Sequence, residues 1–405
     1  MTDALAQQAR RSGLPWQGVG RALVRRILDR LACGSLTVVL PDGAQLRQRA
    51  PAPGPEAEVL LHRWRGLRRL LLGGDIGFAE AYADGDWSSP DLTALLELGA
   101  RNQAHIAGAD GGALPVRLLH RLAHLARPNT RAGSRRNITQ HYDLGNAFYA
   151  RWLDRGMSYS SALFENPDLS LEAAQDAKQD RILDLLDVRP GQQVLEIGCG
   201  WGGLAERIAG AGCHVTGVTV SPAQHVYAEA RLRRAGLAAR ADLRLQDYRD
   251  VGGTYDRIVS IEMLEAVGEA WWPAYFETLR SRLRPGGVIV LQSITIADTW
   301  FDAYRSRADF IQRHIFPGGM LPAARIIHEQ AARHGLVVQS TQSFGASYAR
   351  TLRLWRDRFH AAWPELAGMG FPRSFERLWT YYLCYCEAGF RAGRVDVGLW
   401  RLGHR

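Results

Sequence analysis

Lysine is almost absent from this chain of 405 residues. Lys178 is the only lysine, although Lys and Arg together number 50 and the formal net charge is +9. Arginine therefore carries nearly all of the positive charge. This excess of positive charge attracts the phosphates of nucleic acids or of an anionic bilayer. It is equally explained by arginines spread over solvated faces.

Long apolar runs and metal-ligand clusters are also missing. No stretch of 18 apolar residues occurs, and residues 1–16 lack the apolar core of a signal peptide, so we expect neither a transmembrane helix nor a secretion signal. No His/Cys cluster has zinc spacing, so we expect no metal. The few cysteines are scattered and odd in number, which fits a reducing compartment and argues against a disulfide framework. They are Cys33, Cys199, Cys213, Cys384 and Cys386.

The most informative stretch is VLEIGCGWGG at residues 194–203. A short apolar run leads into Gly198, Gly200 and Gly202, with Glu196 just before the turn. This pattern predicts a strand, a glycine-rich turn and a helix, where backbone can approach a ligand and free N–H groups can bind it. The spacing differs from the Gly-x-Gly-x-x-Gly of dinucleotide-binding folds. On its own it also fits a tight turn without a ligand.

Beyond residue 137, short apolar runs alternate with helical patterns, which predicts an α/β fold with a doubly wound, Rossmann-like sheet. Strands are predicted at 193–197, 214–218, 242–245, 257–261, 288–292 and 336–339. Helices are predicted before the first strand at 171–186 and between later strands at 222–235 and 272–283. A helical insertion at 298–332 would form a lid over the carboxyl edge of the sheet, where ligands bind in such folds.

The amino-terminal part predicts a smaller domain, which sets residues 1–128 apart from a catalytic domain at 129–405. Helical spacing at 15–32 is followed by two strand-like runs around Pro41-Asp42-Gly43, a hairpin signal, and by a predicted loop at 51–55. Residues 116–126 alternate leucines with Arg and His at helical spacing. That basic amphipathic pattern fits docking to lipid headgroups or a plain interdomain helix.

Seven motifs resemble, in order and spacing, the cyclopropane fatty-acyl-phospholipid synthase family, which has the class I S-adenosylmethionine-dependent methyltransferase fold. They are residues 140–146 (QHYDLGN), 159–161 (YSS), 194–203, 245–250 (LQDYRD), 262–268 (EMLEAVG), 316–319 (FPGG) and 344–348 (FGASY). Residues 77–87 (GFAEAYADGDW) resemble the accessory domain of that family. The resemblance covers nearly the whole chain.

The resemblance implies S-adenosylmethionine as the cofactor and assigns residues to each part of it. Tyr159 and Ser160 would meet the methionine portion, and the glycine turn with Glu196 would line the cofactor. Residues near the ribose would be Thr219, Ser221 and Gln224, and residues near the adenine would be Gln246, Asp247 and Tyr248. Plainer interpretations stay open, because Ser221-Pro222 also fits a helix start and Asp247 also fits a turn residue.

The resemblance also implies alkylation of cis double bonds in phospholipid acyl chains. In cyclopropane-forming relatives the base is a bicarbonate, held by a Cys, a Glu, a His, a Tyr and a backbone amide. Glu265, Tyr348 and the Ile294 amide match this set, whereas Ser161 replaces the Cys and Gln292 replaces the His. Ser and Gln can bind an anion but are poor bases near neutral pH.

A second carboxylate, Glu262, precedes Glu265 by three residues and fits either catalysis or a cap on the next helix. Because of these departures, two products stay open: a cyclopropane ring, or a methyl-branched chain that includes furan fatty acid precursors. Retention of a bicarbonate is open for the same reason.

The expected partners are a phospholipid with an unsaturated acyl chain and the membrane surface, approached from the cytoplasm as a peripheral protein on the inner face. A homodimer is considered as well. The alternatives are a small-molecule methyltransferase and a lipid-binding protein without activity. We expect no nucleic acid partner, because SIEM at 260–263 replaces the Asn/Asp-Pro-Pro-aromatic run typical of base-amino methylation.

Overall fold

A computed structural model describes residues 14–106, 144–307 and 309–405. The helices are α1 (Leu14–Leu28), α2 (Trp64–Ala83), α3 (Leu92–Ile106), α4 (Asn146–Tyr149), α5 (Leu171–Leu186), α6 (Gly203–Gly210), α7 (Pro222–Arg234), α8 (Leu264–Val267), α9 (Trp272–Arg282), α10 (Asp298–Arg305), α11 (Phe310–His314), α12 (Ala324–Arg333), α13 (Gly345–Gly368) and α14 (Arg373–Arg391). The strands are β1 (Cys33–Val39), β2 (Gln45–Arg49), β3 (Ala52–Leu61), β4 (Trp87–Ser88), β5 (Gln193–Ile197), β6 (His214–Thr219), β7 (Ala241–Leu245), β8 (Tyr255–Ile261), β9 (Leu283–Ile296), β10 (Leu336–Ser343) and β11 (Val395–His404).

Two compact units make up the chain. The first contains the described residues up to 106 and the later segment Ala367–Ala392, and the second contains the described residues 144–366 together with Gly393–Arg405. The predicted basic helix at 116–126, the predicted boundary at 128/129 and the motif residues 140–143 lie outside the described residues.

The first unit is built on a four-stranded sheet in the order β2-β1-β3-β4. The predicted hairpin is confirmed, because β1 and β2 pair in antiparallel fashion around Pro41-Asp42-Gly43. The predicted loop at 51–55 is wrong, because β3 begins at Ala52 and runs parallel to β1. Its prolines are tolerated because β4 pairs only with Leu60 and Leu61, which leaves one edge of the proline-containing half without a strand partner.

Helix α14 belongs to the first unit, whereas the sequence pattern assigned its residues to the catalytic domain. The Arg377 guanidinium donates to the carbonyl oxygens of Tyr82 (2.5 Å) and Trp87 (2.8 Å) and lies 4.1 Å from the Tyr82 ring centroid. The Thr93 hydroxyl donates to the buried carboxylate of Glu387 at 3.2 Å. These contacts link residues almost 300 positions apart, which spacing along the chain could not predict.

The second unit is built on a seven-stranded sheet in the order β10-β11-β9-β8-β5-β6-β7. Strands β9, β8, β5, β6 and β7 are parallel, and β11 is antiparallel to both of its neighbours. All six predicted strands are confirmed, as is the doubly wound fold. Strand β11 was not predicted, because Gly398, Arg401 and Gly403 interrupt its apolar pattern.

The helical insertion is confirmed as α10, α11 and α12, and it reaches the carboxyl edge of the sheet. The amide of Met320 donates to the carbonyl oxygen of Glu265 at 2.7 Å, and the amide of Ile296 donates to Pro322 at 2.9 Å. No helix in the described ranges has the length and apolar character needed to cross a bilayer.

We expect Asn102→Ala to destabilise the first unit, because Asn102 is fully buried in α3 and joins it to β1. Its side chain accepts from the amides of Ala32 (2.7 Å) and Cys33 (3.1 Å) and donates to the Cys33 carbonyl (3.0 Å). Buried groups left unpaired cost about 1–3 kcal/mol each. Hydrogen exchange should show lost protection at the amides of Ala32 and Cys33. Unchanged protection there would contradict this role.

Candidate active site

The glycine turn follows β5, and its three predicted glycines all have positive φ, at 84° for Gly198, 51° for Gly200 and 78° for Gly202. A Cβ at Gly198 would lie 2.5 Å from Met263, and one at Gly202 would lie 2.9 Å from Ala228. A Cβ at Gly200 would meet no atom within 4 Å. Packing therefore explains two of the glycines, whereas Gly200 borders open space of the kind that a ligand would need.

Glu196 is buried just before this turn, and burial raises the pKa of its carboxyl to about 8. Its Oε2 has no hydrogen-bond partner among the described residues. An orphaned buried acceptor is rare and calls for an explanation. A ligand that brings an N–H donor, such as the ammonium group of a methionine portion, would satisfy it, so the turn fits S-adenosylmethionine.

The residues assigned to the ribose form a closed network at the end of β6. Thr219 Oγ1 lies 3.1 Å from Gln224 Oε1 and accepts from the Ser221 amide at 3.2 Å. Ser221 Oγ accepts from the Gln224 amide at 3.4 Å and caps α7, which confirms its interpretation as a helix start. Contact of these residues with a ribose stays a prediction.

The residues assigned to the adenine have local structural roles at the end of β7. Both carboxylate oxygens of Asp247 accept from the Arg249 guanidinium, at 2.8 and 2.6 Å, and Oδ1 also accepts from the Arg249 amide. Gln246 Nε2 donates to the Asp250 carbonyl at 2.7 Å. The Tyr248 ring packs edge-on against Tyr275, and burial raises its pKa to about 12. These contacts support the turn interpretation of Asp247.

Tyr159 and Ser160 precede α5 and lie in contrasting surroundings. The Tyr159 ring centroid lies 5.4 Å from that of Trp355 and 5.7 Å from that of Trp152. Ser160 is buried, and its hydroxyl oxygen accepts from Lys178 Nζ at 2.7 Å. The sequence analysis noted Lys178 as the only lysine but gave it no role. Its rarity was the signal that could have identified it.

The carboxylate of Glu262 brings four of the five predicted catalytic residues together. Its Oε1 accepts from the Ser161 amide at 2.9 Å and from Gln292 Nε2 at 2.7 Å, and its Oε2 accepts from the Tyr348 hydroxyl at 2.7 Å. Burial raises the pKa of Glu262, and these three donors act against that rise. Glu262 therefore does not cap the next helix, which was the plainer interpretation.

The backbone of Glu262 is left-handed, with φ at 51° at the end of β8. Non-glycine residues rarely adopt this conformation, which costs of order 1–3 kcal/mol. The surrounding contacts hold it, since the Glu262 amide also donates to the Gln292 carbonyl at 2.7 Å. This conformation allows the side chain to meet donors from three separate segments.

The fifth predicted residue, Glu265, lies beside this group in α8. Its Oε1 accepts from the Ile294 amide at 2.6 Å, and its Oε2 has no partner among the described residues. Burial, reinforced by the nearby charge of Glu262, raises its pKa to about 8. At neutral pH Glu265 is therefore mainly a neutral acid beside the Glu262 carboxylate.

These contacts decide whether a bicarbonate fits. The donors that the resemblance assigns to it are already used by the chain, because Tyr348 and Gln292 donate to Glu262, and the Ile294 amide donates to Glu265. The Ser161 hydroxyl donates to the Ala162 carbonyl at 2.9 Å. A second anion here would lie against the Glu262 carboxylate and would find these donors already engaged. The residues present do not fit a bicarbonate.

Comparison with known proteins places this geometry in context. The family model described as mycolic acid cyclopropane synthetase matches residues 129–400. The tuberculostearic acid methyltransferase UfaA1 of Mycobacterium tuberculosis is 41% identical over 96% of this chain and 92% of its own. The cyclopropane-fatty-acyl-phospholipid synthase of Escherichia coli K12 is 37% identical over 83% of this chain and 84% of its own.

A solved structure gives the corresponding comparison of folds. The mycolic acid cyclopropane synthase CmaA1, complexed with SAH and CTAB, superposes with a TM-score of 0.62 at 30% identity. The match covers 66% of this chain and 97% of CmaA1.

We expect Gly200→Ala to weaken binding of S-adenosylhomocysteine at least tenfold, because its Cβ enters the open space beside the turn. Gly191→Ala is a matched control, since Gly191 has φ at 86° and equally open surroundings but lies before β5. Both variants bear a similar backbone cost, of about 1 kcal/mol. Calorimetric titration should show lost affinity only at Gly200. Equal affinities in the two variants would contradict a ligand-lining role.

We expect Glu265→Gln to reduce the fall in stability as pH rises. The folded state holds a proton on Glu265 up to pH about 8, whereas the unfolded chain loses it near 4.5. Between these values unfolding releases a proton, so the free energy of unfolding falls, by at most about 1.4 kcal/mol per pH unit. Urea unfolding between pH 5 and 8 should show a shallower slope in the variant.

The exposed Glu277 in α9 provides the control for this measurement. Glu277→Gln should keep the slope of the unmodified protein. The same slope in all three proteins would mean that Glu265 does not hold the proton.

Proposed function

The chain belongs to the mycolic acid cyclopropane synthetase family and is an S-adenosylmethionine-dependent methyltransferase that modifies lipids, and we propose that its substrate is the cis double bond of an unsaturated acyl chain in a phospholipid. We further propose an acyclic, branched acyl chain as the product. The observation that carries the proposal is the Glu262 carboxylate, which takes up the donors that the resemblance assigns to bicarbonate.

S-adenosylmethionine, when bound, supplies an electrophilic methyl group on a sulfonium. The residues that would hold it are those of the glycine turn, with Glu196 toward its ammonium group and Ser160 toward the rest of its methionine portion. Holding an alkene and a methyl donor in line removes a large part of the barrier, about 7–11 kcal/mol in model systems. The residues that position the methyl donor and the alkene are therefore as important as the base.

Glu262 is the base in this proposal. A bond would form between the methyl carbon and one alkene carbon while the methyl–sulfur bond breaks and its electron pair stays on sulfur, which would leave a carbocation on the other alkene carbon. Glu262 then accepts a proton from the cationic acyl chain, and the electrons of that C–H bond form a new double bond. The three donors to Glu262 leave a lone pair on Oε2 for this proton, and burial keeps its pKa above that of an ordinary carboxyl.

An aromatic cluster includes Tyr348, which donates to this carboxylate, and would suit a cationic acyl chain. The Tyr348 ring is perpendicular to that of Trp355 with centroids 6.1 Å apart, and Tyr159 lies 6.5 Å from Phe316. Ring faces stabilise a cation by about 0.5–2 kcal/mol each without capturing it. Trp152 and Trp355 are fully buried, so the surroundings also exclude water from the cation.

Cyclopropanation is the second candidate, and a specific observation favours it. Glu265, Tyr348 and the Ile294 amide all match the cyclopropane-forming set, and the related E. coli enzyme carries that activity in its name. The same base would then take its proton from the new methyl group, and the ring would close. The 41% identity with a tuberculostearic acid methyltransferase supports the branched product instead.

The first unit and the net charge support the rest of the proposal. We propose that the amino-terminal unit helps the enzyme dock, from the cytoplasm, on the inner face of the membrane, where a net charge of +9 favours anionic headgroups. A homodimer is a further proposal.

The product follows from lipids of a cyclopropane-free bacterial host that expresses this chain and is fed methyl-deuterated methionine. We expect fatty acid esters with one added carbon that take up hydrogen under mild catalytic hydrogenation, as a branched olefin does. A product that resists hydrogenation and retains two deuteriums would be a ring and would favour cyclopropanation. The absence of any labelled lipid would count against lipid alkylation in this host.

We expect Glu262→Gln to lower turnover at least a hundredfold, because a positioned base contributes about 10²–10⁴-fold. Its affinity for S-adenosylhomocysteine should stay within about twofold, since Glu262 is not assigned to the cofactor. Glu277→Gln should leave both turnover and affinity unchanged. Full turnover in Glu262→Gln would remove Glu262 from the mechanism.

A further inference from the structure

One face of α5 fixes the segment that carries Tyr159 and Ser160. Gln175, Lys178 and Gln179 are spaced at i, i+3 and i+4, so they share this face. Gln175 Nε2 donates to the Ser160 carbonyl at 2.9 Å, and Lys178 Nζ donates to the Ser160 hydroxyl oxygen at 2.7 Å. Ser160 is therefore held at its main chain and at its side chain by the same helix.

The Lys178 ammonium is buried and only partly satisfied. Its residue is 3% exposed, and Ser160 accepts its single hydrogen bond within the described ranges. Its Nζ forms no ion pair with a carboxylate of the described residues. An ammonium has three donors, and a buried charge is costly unless it is paired. Two donors therefore remain for another group.

The surrounding charges indicate why a positive group is kept here. Glu262, Asp154 and Glu196 all act on Lys178 electrostatically, and burial, the larger effect, lowers its pKa to about 8. Asp154 is satisfied by the amides of Gly156 (2.7 Å) and Ser158 (2.9 Å). Every other Lys or Arg position of the chain is an arginine, and the ammonium of Lys178 is a more compact charge than a guanidinium.

Ser160 connects the Lys178 ammonium with the residues assigned to the cofactor. Because its oxygen accepts from Lys178, its own hydroxyl hydrogen is directed elsewhere, and no described residue accepts it. A hydroxyl donor backed by an ammonium is a recognition element for a carboxylate. Glu196, with its orphaned oxygen, lies within the same electrostatic environment and would suit the opposite charge.

We propose that Lys178 is a positioning residue that holds Ser160 and supplies the positive charge against which the carboxylate of the cofactor's methionine portion binds. Glu196 receives the ammonium group of the same portion, whose positive charge favours the ionised form of this carboxyl, so the two ends of the amino acid meet opposite charges. The inference rests on the cofactor side of the proposed function and does not depend on the lipid product.

The single lysine makes a direct test feasible. Expression with lysine labelled with ¹³C at Cε gives one lysine signal, whose chemical shift follows the protonation of Lys178 in the folded enzyme. The free enzyme should titrate near pH 8. S-adenosylhomocysteine should move this midpoint upward by at least half a pH unit, because a nearby carboxylate favours the charged amine. 5′-Methylthioadenosine, which lacks the amino acid portion, should leave the midpoint in place.

Variants give a second, independent measurement. Lys178→Met keeps the length of the side chain and removes its charge, and it should weaken S-adenosylhomocysteine at least tenfold while 5′-methylthioadenosine stays within twofold. Arg181→Met is the matched control on α5, since Arg181 donates to Gln342 and not to the Ser160 segment. It should leave both affinities unchanged.

Two outcomes would overturn the proposal. One is a Lys178 signal that responds equally to both ligands or to neither, in an enzyme that binds both. The other is an equal loss of both affinities in a folded Lys178→Met variant, which would indicate a structural role alone. If that variant does not fold, the titration of the unmodified enzyme still decides. The lipid product measured in the host tests the proposed function separately.

Discussion

The carboxylate of Glu262 is the interaction on which the site depends. It lies at the end of β8 and accepts hydrogen bonds from the segment before α5, from β9 and from α13. A buried carboxylate requires such donors, and removing it would abolish all three of these hydrogen bonds. The left-handed backbone at Glu262 is a strained conformation that these contacts maintain. Gln292, a departure from the cyclopropane-forming set, donates to Glu262 through its side chain, whereas Ser161 does so through its backbone amide, which any residue could provide.

Most of the fold of the second unit could be predicted from the sequence, because a parallel sheet buries its strands as continuous apolar runs and ends them in glycine or helix-start signals. The elements that were predicted wrongly or missed have a common cause. Strand β3 contains prolines in the half that β4 does not cover, and β11 carries polar and glycine residues. Helix α14 contacts residues of its own unit that lie almost 300 positions earlier in the chain. In each case a long-range contact decides the structure, and local pattern does not report it.

The candidate site was predicted as a set of residues but not as an arrangement. The resemblance identified Glu262, Glu265, Ser161, Gln292 and Tyr348, yet it implied that they surround a bound anion. The hydrogen bonds instead direct Ser161, Gln292 and Tyr348 to the carboxylate of Glu262. Asp247, which the resemblance assigns to the adenine, has both carboxylate oxygens engaged by Arg249, two positions along, and its contact with a ligand stays a prediction. Residue identity predicts what a side chain can bind, whereas its actual partner depends on the fold.

Because the chain contains a single lysine, proteolysis at lysine can probe one defined helix of the molecule. A lysine-specific protease can recognise only one peptide bond, the one that follows Lys178, and this bond lies in the middle of the helical segment Leu171–Leu186. Backbone within an intact helix does not enter a protease cleft, so cleavage requires that α5 open. The appearance of the two cleavage fragments would then report the opening of α5, the helix that holds Ser160. The chain thus contains an intrinsic reporter of the stability of its own cofactor side.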